Sequence, residues 1–430
     1  MGIGGAGMSG LALVARALGA EVTGSDRAES SYFARLREAG IEPRLGHGEP
    51  PPEGAEIVVS TAIGADNPEL ALARAAGAPV LHRGDLLGEV SALKRTIAVA
   101  GTHGKTTTAS MATLALVDAG VDPGFLIGGE LRALGTNAGW GGGAWAVVEA
   151  DESDRSFLKL AREVAIVTSV ELDHHATYRS LGELEQAFES FAEPAELAVL
   201  GPEVELGAAR RSLSYGIDSG DLRAEHVELL PLGSRFSVEG VEIELAVPGR
   251  HNVLNALAAL AACRAAGVEP AAAAPGLARF TGAGRRFEDH GRTGSGARVF
   301  DDYAHHPTEV RATLAAARTQ EPRRLVVCFQ PHLFSRTRLL AREFGQALAL
   351  ADLVVVLDVY AAREREQDFP GVSGLLVAGA AADAAAGRPV WWLPRQVDAE
   401  RFLRDELGDG DVLLTMGAGD VDDLARRLTS

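Results

Sequence analysis

The sequence predicts an α/β protein with mostly parallel sheets. Short aliphatic or β-branched runs alternate with Ala-, Leu- and Arg-rich segments of helical period, which is typical of βαβ units. The chain has 430 residues, which corresponds to about three domains at roughly 150 residues each. Hydrophobic residues make up 47% of the chain, a proportion that favours packed cores and argues against disorder.

The predicted elements follow one another along the whole chain. Helices are predicted over residues 8–18, after the glycine-rich segment 101–107 and over 256–266, and a β-rich stretch over 211–247. A break at residues 90–94 and the glycines near 290 divide the chain into predicted domains 1–90, 91–290 and 291–430. The candidate strands are 21–24, 56–60, 96–100, 145–149, 164–169, 298–300, 325–329, 353–359 and 412–416.

The composition excludes several classes of function. Lys and Arg number 41 against 59 Asp and Glu, and the resulting charge of −18 disfavours a nucleic-acid-binding face. The two cysteines, Cys263 and Cys328, supply neither a disulfide framework nor a cysteine zinc site. The sequence lacks an apolar run of the roughly 18 residues that cross a bilayer. We therefore expect a cytoplasmic protein with neither a nucleic-acid nor a membrane partner.

A first glycine-rich segment lies at the start of the chain. Residues 2–7, Gly-Ile-Gly-Gly-Ala-Gly, fit the pattern G-x-G-x-x-G ahead of a predicted helix, although the strand expected before them is nearly absent. Such glycines let backbone N–H groups approach a pyrophosphate at a helix N-terminus. Asp26 stands where a dinucleotide-binding unit carries its ribose-binding acid. From these residues alone, the segment is a tight turn or a nicotinamide-dinucleotide site.

A second glycine-rich segment follows the apolar strand 96–100. It departs from strict G-x-x-x-x-G-K-[ST] at Val99, but the order of strand, glycine loop, Gly-Lys-Thr and helix predicts a phosphate cradle. The lysine would reach the β- and γ-phosphates of a nucleotide, and the threonine after it would bind Mg²⁺. The alternative is an ordinary helix N-terminus with a solvated lysine. The segment comprises Gly101, Thr102, His103, Gly104, Lys105, Thr106 and Thr107.

Carboxylates and histidines follow the next two predicted strands. Four acids lie between Glu149 and Asp154, a density that costs repulsion unless cations or donors neutralise it. An acid at a strand end beside a phosphate loop predicts a Mg²⁺ ligand, whereas a solvated turn would need no metal. Residues 173–175, Asp-His-His, follow the next strand at the sheet edge where parallel-sheet proteins bind ligands.

Five motifs in this order resemble those of the Mur ligase family of peptidoglycan synthesis, most closely its alanine-adding type. The resemblance extends from Gly2 to Met416 and implies an N-terminal Rossmann-like domain for a UDP-sugar, a central P-loop ATPase domain and a C-terminal Rossmann-like domain. The motifs are residues 2–10, 101–107, 149–154 (Glu-Ala-Asp-Glu-Ser-Asp), 301–307 (Asp-Asp-Tyr-Ala-His-His-Pro) and 330–332 (Gln-Pro-His).

The resemblance also implies ATP-dependent amide-bond formation. ATP would phosphorylate the lactyl carboxylate of UDP-N-acetylmuramate, and L-alanine would attack the acyl phosphate, so that a tetrahedral intermediate expels phosphate. Lys105, Arg286 and two Mg²⁺ ions would offset the repulsion between the carboxylate and the triphosphate. We expect a monomer or a homodimer.

The family's site residues are placed on this sequence motif by motif. By the resemblance, Thr106 and Glu149 bind one Mg²⁺ and His174 the second. Asn252 and Asn255 share one helix face and would bind adenine, although N-terminal capping also explains Asn252. The expected catalytic residues are Lys105, Glu149, His174, Arg286 and His305. The UDP-sugar is expected at Gly4, Gly5, Ala6, Gly7, Met8, Ser9 and Asp26.

The resemblance assigns further roles near the C-terminal domain. Arg286, favoured over its neighbour Arg285, would bind phosphate, and Asp302 would accept a hydrogen bond from the ATP ribose. Many family members carry Arg where this chain has Leu333, so any contact of that Arg would pass to Arg336 or Arg338. The expected substrate-binding residues are Tyr303, His305, His332 and Arg336.

Three other functions stay open on the sequence. One is a related ligase that recycles a whole tripeptide by joining it to UDP-N-acetylmuramate, although residues 151–157 resemble the alanine-adding type. Another is an NAD(P)-dependent oxidoreductase, suggested by the first glycine segment and Asp26, which leaves residues 101–107 unexplained. The third is a P-loop module that binds a nucleotide and regulates a partner without forming a bond.

Overall fold

The computed structural model describes residues 1–173, 177–207 and 210–430. The chain divides into two compact units. The first comprises Met1–Glu225, Phe236–Ile243 and Leu254–Phe280, and the second His226–Arg235, Glu244–Val253 and Thr281–Ser430. Between residues 226 and 253 the chain therefore passes back and forth between the units. The domain boundaries at residues 90 and 290 stay predictions. Among the described residues, the helices are too short or too polar to cross a membrane.

The first unit begins with small parallel sheets and helices. Strand β1 pairs with β2, and β3 with β4. The strand predicted over residues 21–24 is wrong by a few positions, because only Gly24 and Ser25 of that region are buried, next to Ile3. The elements are α1 (Ala6–Ala17), β1 (Gly24–Asp26), α2 (Tyr32–Glu38), β2 (Pro43–Leu45), β3 (Ile57–Val59), α3 (Pro68–Ala75), β4 (Val80–His82) and α4 (Arg83–Ser91).

An eight-stranded sheet forms the centre of the first unit. Its order is β12-β11-β10-β9-β5-β8-β6-β7, with β7 antiparallel to β6 and the other neighbours parallel. The carboxyl ends of β9, β5 and β8 therefore meet at one edge. The elements are β5 (Arg95–Ala100), α5 (Lys105–Asp118), β6 (Gly124–Leu131), β7 (Thr136–Trp140), β8 (Trp145–Glu149), a 3₁₀ turn (Ser156–Lys159), β9 (Val164–Val167), α6 (Leu181–Ala192), β10 (Leu197–Leu200), β11 (Ser212–Gly216) and β12 (Leu222–Arg223).

A β-rich stretch and a helix, α7, follow as the sequence predicts, and a second helix, α8, was not predicted. Helix α7 begins at Arg250, so Asn252 lies inside its first turn and is not the N-cap residue itself. A three-stranded sheet has the order β13-β14-β15. The elements are β13 (Glu225–Leu230), β14 (Gly233–Val238), β15 (Val241–Leu245), α7 (Arg250–Ala265) and α8 (Pro270–Ala278).

The second unit contains a six-stranded sheet with an apolar cluster on each face. Its order is β16-β17-β21-β18-β19-β20, with β16 antiparallel to β17 and the other neighbours parallel. Phe300 and Phe329 belong to one cluster, and Val299 and Cys328 to the other. The elements are β16 (Glu288–Arg292), β17 (Arg298–Asp302), α9 (Pro307–Arg318), β18 (Arg324–Phe329), α10 (Phe334–Leu348), β19 (Leu353–Val356), a 3₁₀ turn (Glu366–Asp368), α11 (Gly374–Ala384), β20 (Val390–Trp392), α12 (Gln396–Glu406), β21 (Asp411–Met416) and α13 (Asp422–Thr429).

Candidate active site

The loop between β5 and α5 is fixed by the end of β9. The Thr102 N–H donates to the Ser169 carbonyl at 2.9 Å, and the His103 N–H donates to the Ser169 hydroxyl at 3.0 Å. Gly101 adopts a φ of +129°, and a Cβ there would lie 2.8 Å from the Thr168 nitrogen. Glycine is therefore required at the start of this loop, which holds its backbone in one conformation ahead of the helix.

Lys105 is held by the loop and by one carboxylate. Its Nζ donates to the Gly101 carbonyl at 2.6 Å, to the Thr102 carbonyl at 3.2 Å and to Glu152 at 3.0 Å. Burial lowers the pKa of the Lys105 ammonium, but the neighbouring carboxylates, Glu152 foremost, outweigh burial and raise that pKa above its usual value. Lys105 is thus a fixed cation, and the alternative of a solvated lysine is wrong.

Thr106 and Glu149 lie side by side where α5 begins and β8 ends. The Thr106 hydroxyl donates to Glu149 Oε1 at 2.9 Å, and the Gly128 N–H donates to Oε2 at 2.7 Å. Burial raises the pKa of the Glu149 carboxyl, while these two donors and Lys105 oppose the rise. A hydroxyl and a carboxylate in contact are the oxygen ligands that Mg²⁺ prefers, so this pair fits the predicted ion.

The acidic segment after β8 is not a solvated turn. Glu152 is 1% exposed and pairs with Lys105, and Arg83 donates to Asp151 Oδ2 at 3.2 Å. Asp154 accepts from the Ser156 N–H at 2.9 Å. Burial alone would raise the pKa of the Asp151 carboxyl, but Lys105, the Ser153 N–H and Arg83 lower it overall. Cations and N–H donors therefore neutralise the repulsion that the sequence predicts here.

The first glycine loop is folded around Asp26. The Gly4 N–H donates to Asp26 Oδ2 at 2.8 Å, and a Cβ on Gly4 would lie 2.9 Å from that oxygen. Helix α1 begins after Gly5 with neither a side-chain cap nor an acid in its first turn, which suits an anion. Met8 and Ser9 are buried, and the Ser9 N–H donates to the Gly5 carbonyl at 2.8 Å. Of the predicted residues, Gly4 and Gly5 thus lie in the loop, and Ala6, Gly7, Met8 and Ser9 form the first turn of α1.

In the second unit, the two neighbouring arginines have different surroundings. Arg285 donates to Asp301 at 2.8 Å and to the carbonyls of Gly417 and Gly419 at 2.7 Å each, which commits its guanidinium to the unit's own structure. The Nη1 atom of Arg286 lies 3.8 Å from Glu309 Oε1. This difference agrees with the preference for Arg286 as the phosphate-binding residue.

Asp302, the last residue of β17, is buried close to Arg286. Its two oxygens accept from the N–H groups of Phe287 and Ala304, each at 2.8 Å. Burial raises the pKa of the Asp302 carboxyl to about 6, although the charge of Arg286 and the two N–H donors act against the rise. The contact of Asp302 with ribose stays a prediction, because its observed bonds are to the backbone.

The predicted substrate-binding residues lie close together in the second unit. Ring centroids are 5.3 Å apart between Tyr303 and His305, and 6.0 Å apart between His305 and His332. Arg336 Nη1 lies 3.3 Å from His332 Nδ1. Tyr360, which sequence reasoning missed, stacks on His332 at 5.9 Å. The order of the strands could have indicated Tyr360. Strands β18 and β19 are parallel neighbours, and Tyr360 follows β19 just as His332 follows β18.

Glu309, which the sequence does not predict as a site residue, contacts two predicted catalytic residues. It accepts from the His305 N–H at 3.0 Å, and its Oε2 lies 3.4 Å from His305 Nδ1. Together with its approach to Arg286, this contact orients two predicted catalytic residues from one helix, α9. Glu309 lies in the first turn of α9, where acidic residues are common, so the sequence does not mark it as a site residue.

The remaining predicted positions have mixed outcomes. Asn255 Oδ1 accepts from the Thr108 hydroxyl at 3.3 Å, and Asn252 Nδ2 donates to the Pro248 carbonyl at 2.8 Å, so their contact with adenine stays a prediction. His174 lies outside the described residues. Leu333 is buried with a φ of +68°, and its N–H donates to the Tyr360 carbonyl, which leaves Arg336 as the cation beside His332.

A phosphate loop, an adjacent oxygen pair suited to Mg²⁺ and a separate glycine loop are features expected of a nucleotide-dependent enzyme. Models of the Mur ligase family match three successive segments of the chain. "Mur ligase family, catalytic domain" matches residues 1–95, "Mur ligase middle domain" residues 99–263, and "Mur ligase, glutamate ligase domain" residues 285–419. The chain belongs to the Mur ligase family and has its three-domain α/β architecture.

Curated relatives and solved structures agree with this assignment. A UDP-N-acetylmuramate–L-alanine ligase of Streptomyces coelicolor is 46% identical, with 100% of this chain and 96% of the relative covered. The enzyme of the same name from Kineococcus radiotolerans is 48% identical, with 98% and 93% covered. The UDP-N-acetylmuramate-alanine ligase structure from Thermotoga maritima superposes with a TM-score of 0.84 at 30% identity, covering 99% and 96%. A murein peptide ligase of Psychrobacter arcticus gives 0.72 at 25% identity, covering 99% and 96%.

Proposed function

We propose that this protein joins L-alanine to the lactyl carboxylate of UDP-N-acetylmuramate, with conversion of ATP to ADP and phosphate. The observation that carries the proposal is the meeting of Lys105, Thr106 and Glu149 at the carboxyl edge of one sheet. Relatives named for this reaction, at 44–48% identity over nearly the whole chain, support the choice of substrates.

The reaction requires two anions to approach each other. The backbone of residues 101–104 and the Lys105 ammonium bind the triphosphate, and the first glycine loop binds the UDP diphosphate through backbone N–H groups. A Mg²⁺ ion held by Thr106 and Glu149 would neutralise charge on the transferring phosphoryl group. Because both partners are bound and oriented, positioning and charge stabilisation account for most of the chemistry, with no need for a covalent nucleophile.

The second unit supplies the remaining residues of the proposal. Arg286 binds phosphate, and Asp302 accepts from the ATP ribose. Tyr303 and His305 line the cleft near the reacting groups, with Glu309 orienting His305. His332 and Arg336 hold the muramoyl group and the alanine carboxylate. A second Mg²⁺ bound by His174, the adenine contacts of Asn252 and Asn255, a monomeric or homodimeric state and a cytoplasmic location complete the proposal as predictions from the sequence.

The tripeptide-recycling reaction is the second candidate, because one of the similar solved structures is a murein peptide ligase. It would use the same phosphate loop and differ only in the amine acceptor. Phosphate release measured with UDP-N-acetylmuramate and ATP across a panel of amino acids and the tripeptide separates the two reactions. We expect turnover with L-alanine; turnover with the tripeptide alone would reject the proposal.

Two substitutions test the assigned roles. Lys105→Ala removes the fixed cation of the phosphate loop, and Glu149→Ala removes the proposed metal ligand. Loss of one such charged group costs about 100-fold or more in rate, so both variants should be nearly inactive in the phosphate assay. Lys159→Ala, which breaks an exposed pair with Asp85, is the matched control. Near-normal turnover by either active-site variant would contradict the assignment.

A further inference from the structure

The acidic segment after β8 binds two cations through consecutive residues. Glu152 pairs with Lys105 of the phosphate loop, and Asp151 pairs with Arg83, whose Nη2 lies 3.2 Å from Asp151 Oδ2 and 3.9 Å from Asp154 Oδ2. Lys105 has a role in the proposed reaction, whereas Arg83 has none yet. The two cations nevertheless belong to one connected set of charges.

Arg83 extends from this acidic segment to the first glycine loop. A Cβ on Gly7 would lie 2.7 Å from Arg83 Nη1, so the guanidinium lies directly against the first turn of α1. Nη2 is committed to the carboxylates, while Nη1 faces the loop. The side chain is 23% exposed, which leaves it accessible to a ligand.

The position of Arg83 is fixed by helix α4. Arg83 is the first residue of α4, whose N-cap, His82, and third residue, Asp85, form a capping box. A Cβ on Gly84 would lie 2.6 Å from the Ser156 Cβ, so α4 packs tightly on the segment after Asp154. The ion pair between Lys159 and Asp85 joins the same two segments at 2.5 Å but is solvent-exposed, so it adds little to this packing. The guanidinium is therefore held between the two glycine loops before any ligand binds.

We propose that Arg83 binds an oxyanion of the sugar nucleotide held at the first glycine loop, and that Asp151 orients its guanidinium for this contact. The inference rests on the proposed function, which places a UDP-sugar at this loop. Guanidinium groups bind phosphate and carboxylate through paired N–H donors, and a partner carboxylate on one side fixes the direction of the remaining donors. Since Glu152 follows Asp151 directly, the same segment aligns this substrate with Lys105.

Calorimetric binding to the full-length protein tests the proposal. The probes are UDP-N-acetylmuramate, UDP-N-acetylglucosamine, which lacks the lactyl carboxylate, and a non-hydrolysable ATP analogue. We expect Arg83→Ala to weaken UDP-N-acetylmuramate binding at least tenfold, with ATP-analogue binding changed less than twofold. Equal weakening for both sugars identifies the diphosphate as the oxyanion, and weakening confined to UDP-N-acetylmuramate identifies the carboxylate. Both results support the proposal.

Two further variants distinguish ligand binding by Arg83 from a purely structural role of that residue. Lys159→Ala breaks another ion pair of α4 without approaching the glycine loop and should leave sugar-nucleotide affinity unchanged. Arg83→Lys keeps a charge for Asp151 but loses the forked donors, so it should bind sugar nucleotide more weakly than the native chain and carries the test if Arg83→Ala fails to fold. In steady state, the KM for UDP-N-acetylmuramate should rise while the KM for ATP does not.

Two results would overturn the proposed role of Arg83. If Arg83→Ala and Arg83→Lys bind both sugar nucleotides within twofold of the native chain while Tm falls, Arg83 only ties α4 to the acidic segment and the proposal is overturned. Equal losses of ATP-analogue and sugar-nucleotide affinity would overturn it too. Absence of ligation by the native chain would reject the proposed function, whereas the binding comparison for Arg83 would still give its own answer.

Discussion

At the scale of single residues, Asp302 shows how burial and charge compete. Its carboxyl lies inside the second unit with two backbone N–H donors, and its pKa is raised to about 6 from the usual 3.8. The raised pKa means that burial disfavours the charged form more than Arg286 and the N–H donors favour it. The folded protein therefore holds the proton on this carboxyl more tightly than the unfolded chain does.

This carboxyl should make stability depend on pH. Because its folded pKa exceeds its unfolded pKa, its stabilising contribution is complete below about pH 4 and is lost as pH rises through about 6, amounting to about 3 kcal/mol at most. Calorimetry measures this loss as a difference in Tm between the native chain and Asp302→Asn. Between pH 4.5 and pH 7, the Tm of the native chain should fall relative to the Tm of the variant. A difference that stays constant over this range would contradict the raised pKa.

The sequence predicts which residues form the candidate site better than it predicts the partners of those residues. Lys105, Thr106 and Glu149 follow from a local pattern, because a Gly-Lys-Thr loop and a strand-end acid are readable along the chain. The pairing of Arg83 with Asp151 joins positions 68 residues apart, and the stacking of Tyr360 on His332 needs the order of β18 and β19. No local pattern encodes such contacts, so they required the folded chain.

At the scale of elements, the start of α5 depends on a glycine that cannot be replaced. Gly104 has a φ of +80°, and a Cβ there would collide with the Asn255 side chain. Gly120, just beyond the other end of α5, has a φ of +77°, and a Cβ at that position would have no neighbour within 4 Å among the described residues. The two glycines therefore share the same backbone strain and differ only in their surroundings, which makes Gly120 a matched control.

Alanine at these two glycines should give different results. Gly120→Ala should cost about 1–2 kcal/mol, the strain of a left-handed residue, and leave nucleotide binding intact. Gly104→Ala should lower Tm further and weaken ATP-analogue binding about tenfold or more, because the collision displaces Asn255 and the loop. Thermal unfolding and calorimetric titration measure both effects. Equal behaviour of the two variants would show that contact with Asn255 is unimportant.

Element positions were predictable where burial and sequence pattern agree. Strands β5 and β8 are almost entirely buried, and the sequence places them within one residue of their observed bounds. The strand near residue 24 was placed too early because Val22 suggests a strand, although it is only partly buried and the pairing with β2 begins at Gly24. Short edge segments of this kind are set by their neighbours more than by their own residues.

At the scale of the whole molecule, we expect the fold not to depend on a metal ion at Glu149. Both oxygens of this carboxylate already accept from protein donors, the Thr106 hydroxyl and the Gly128 N–H. A chelator should therefore abolish phosphate release and leave Tm and the far-UV circular dichroism of the nucleotide-free protein unchanged, with activity restored by added Mg²⁺. A fall in Tm of several degrees on chelation would contradict this account.

The α/β class and the family were accessible from the sequence because both depend on features spread along the chain. Alternating strands and helices predict the class, which the structure and its match to a solved structure confirm. Five motifs in order indicate the family, which the family models and relatives confirm. The passage of the chain between its units over residues 226–253 was not predictable, because short strands there carry no signal for the unit with which they pack.

The alternation of residues 226–253 between the two units limits where the chain could be divided into two separately expressed polypeptides. A polypeptide beginning at Thr281 would lack residues 226–235 and 244–253, which belong to the same unit as its sheet. A polypeptide ending at Phe280 would carry those two segments without the body to which they belong. In a split version of this enzyme made from two separately expressed halves, the C-terminal half would thus have to fold with two segments carried by the N-terminal half.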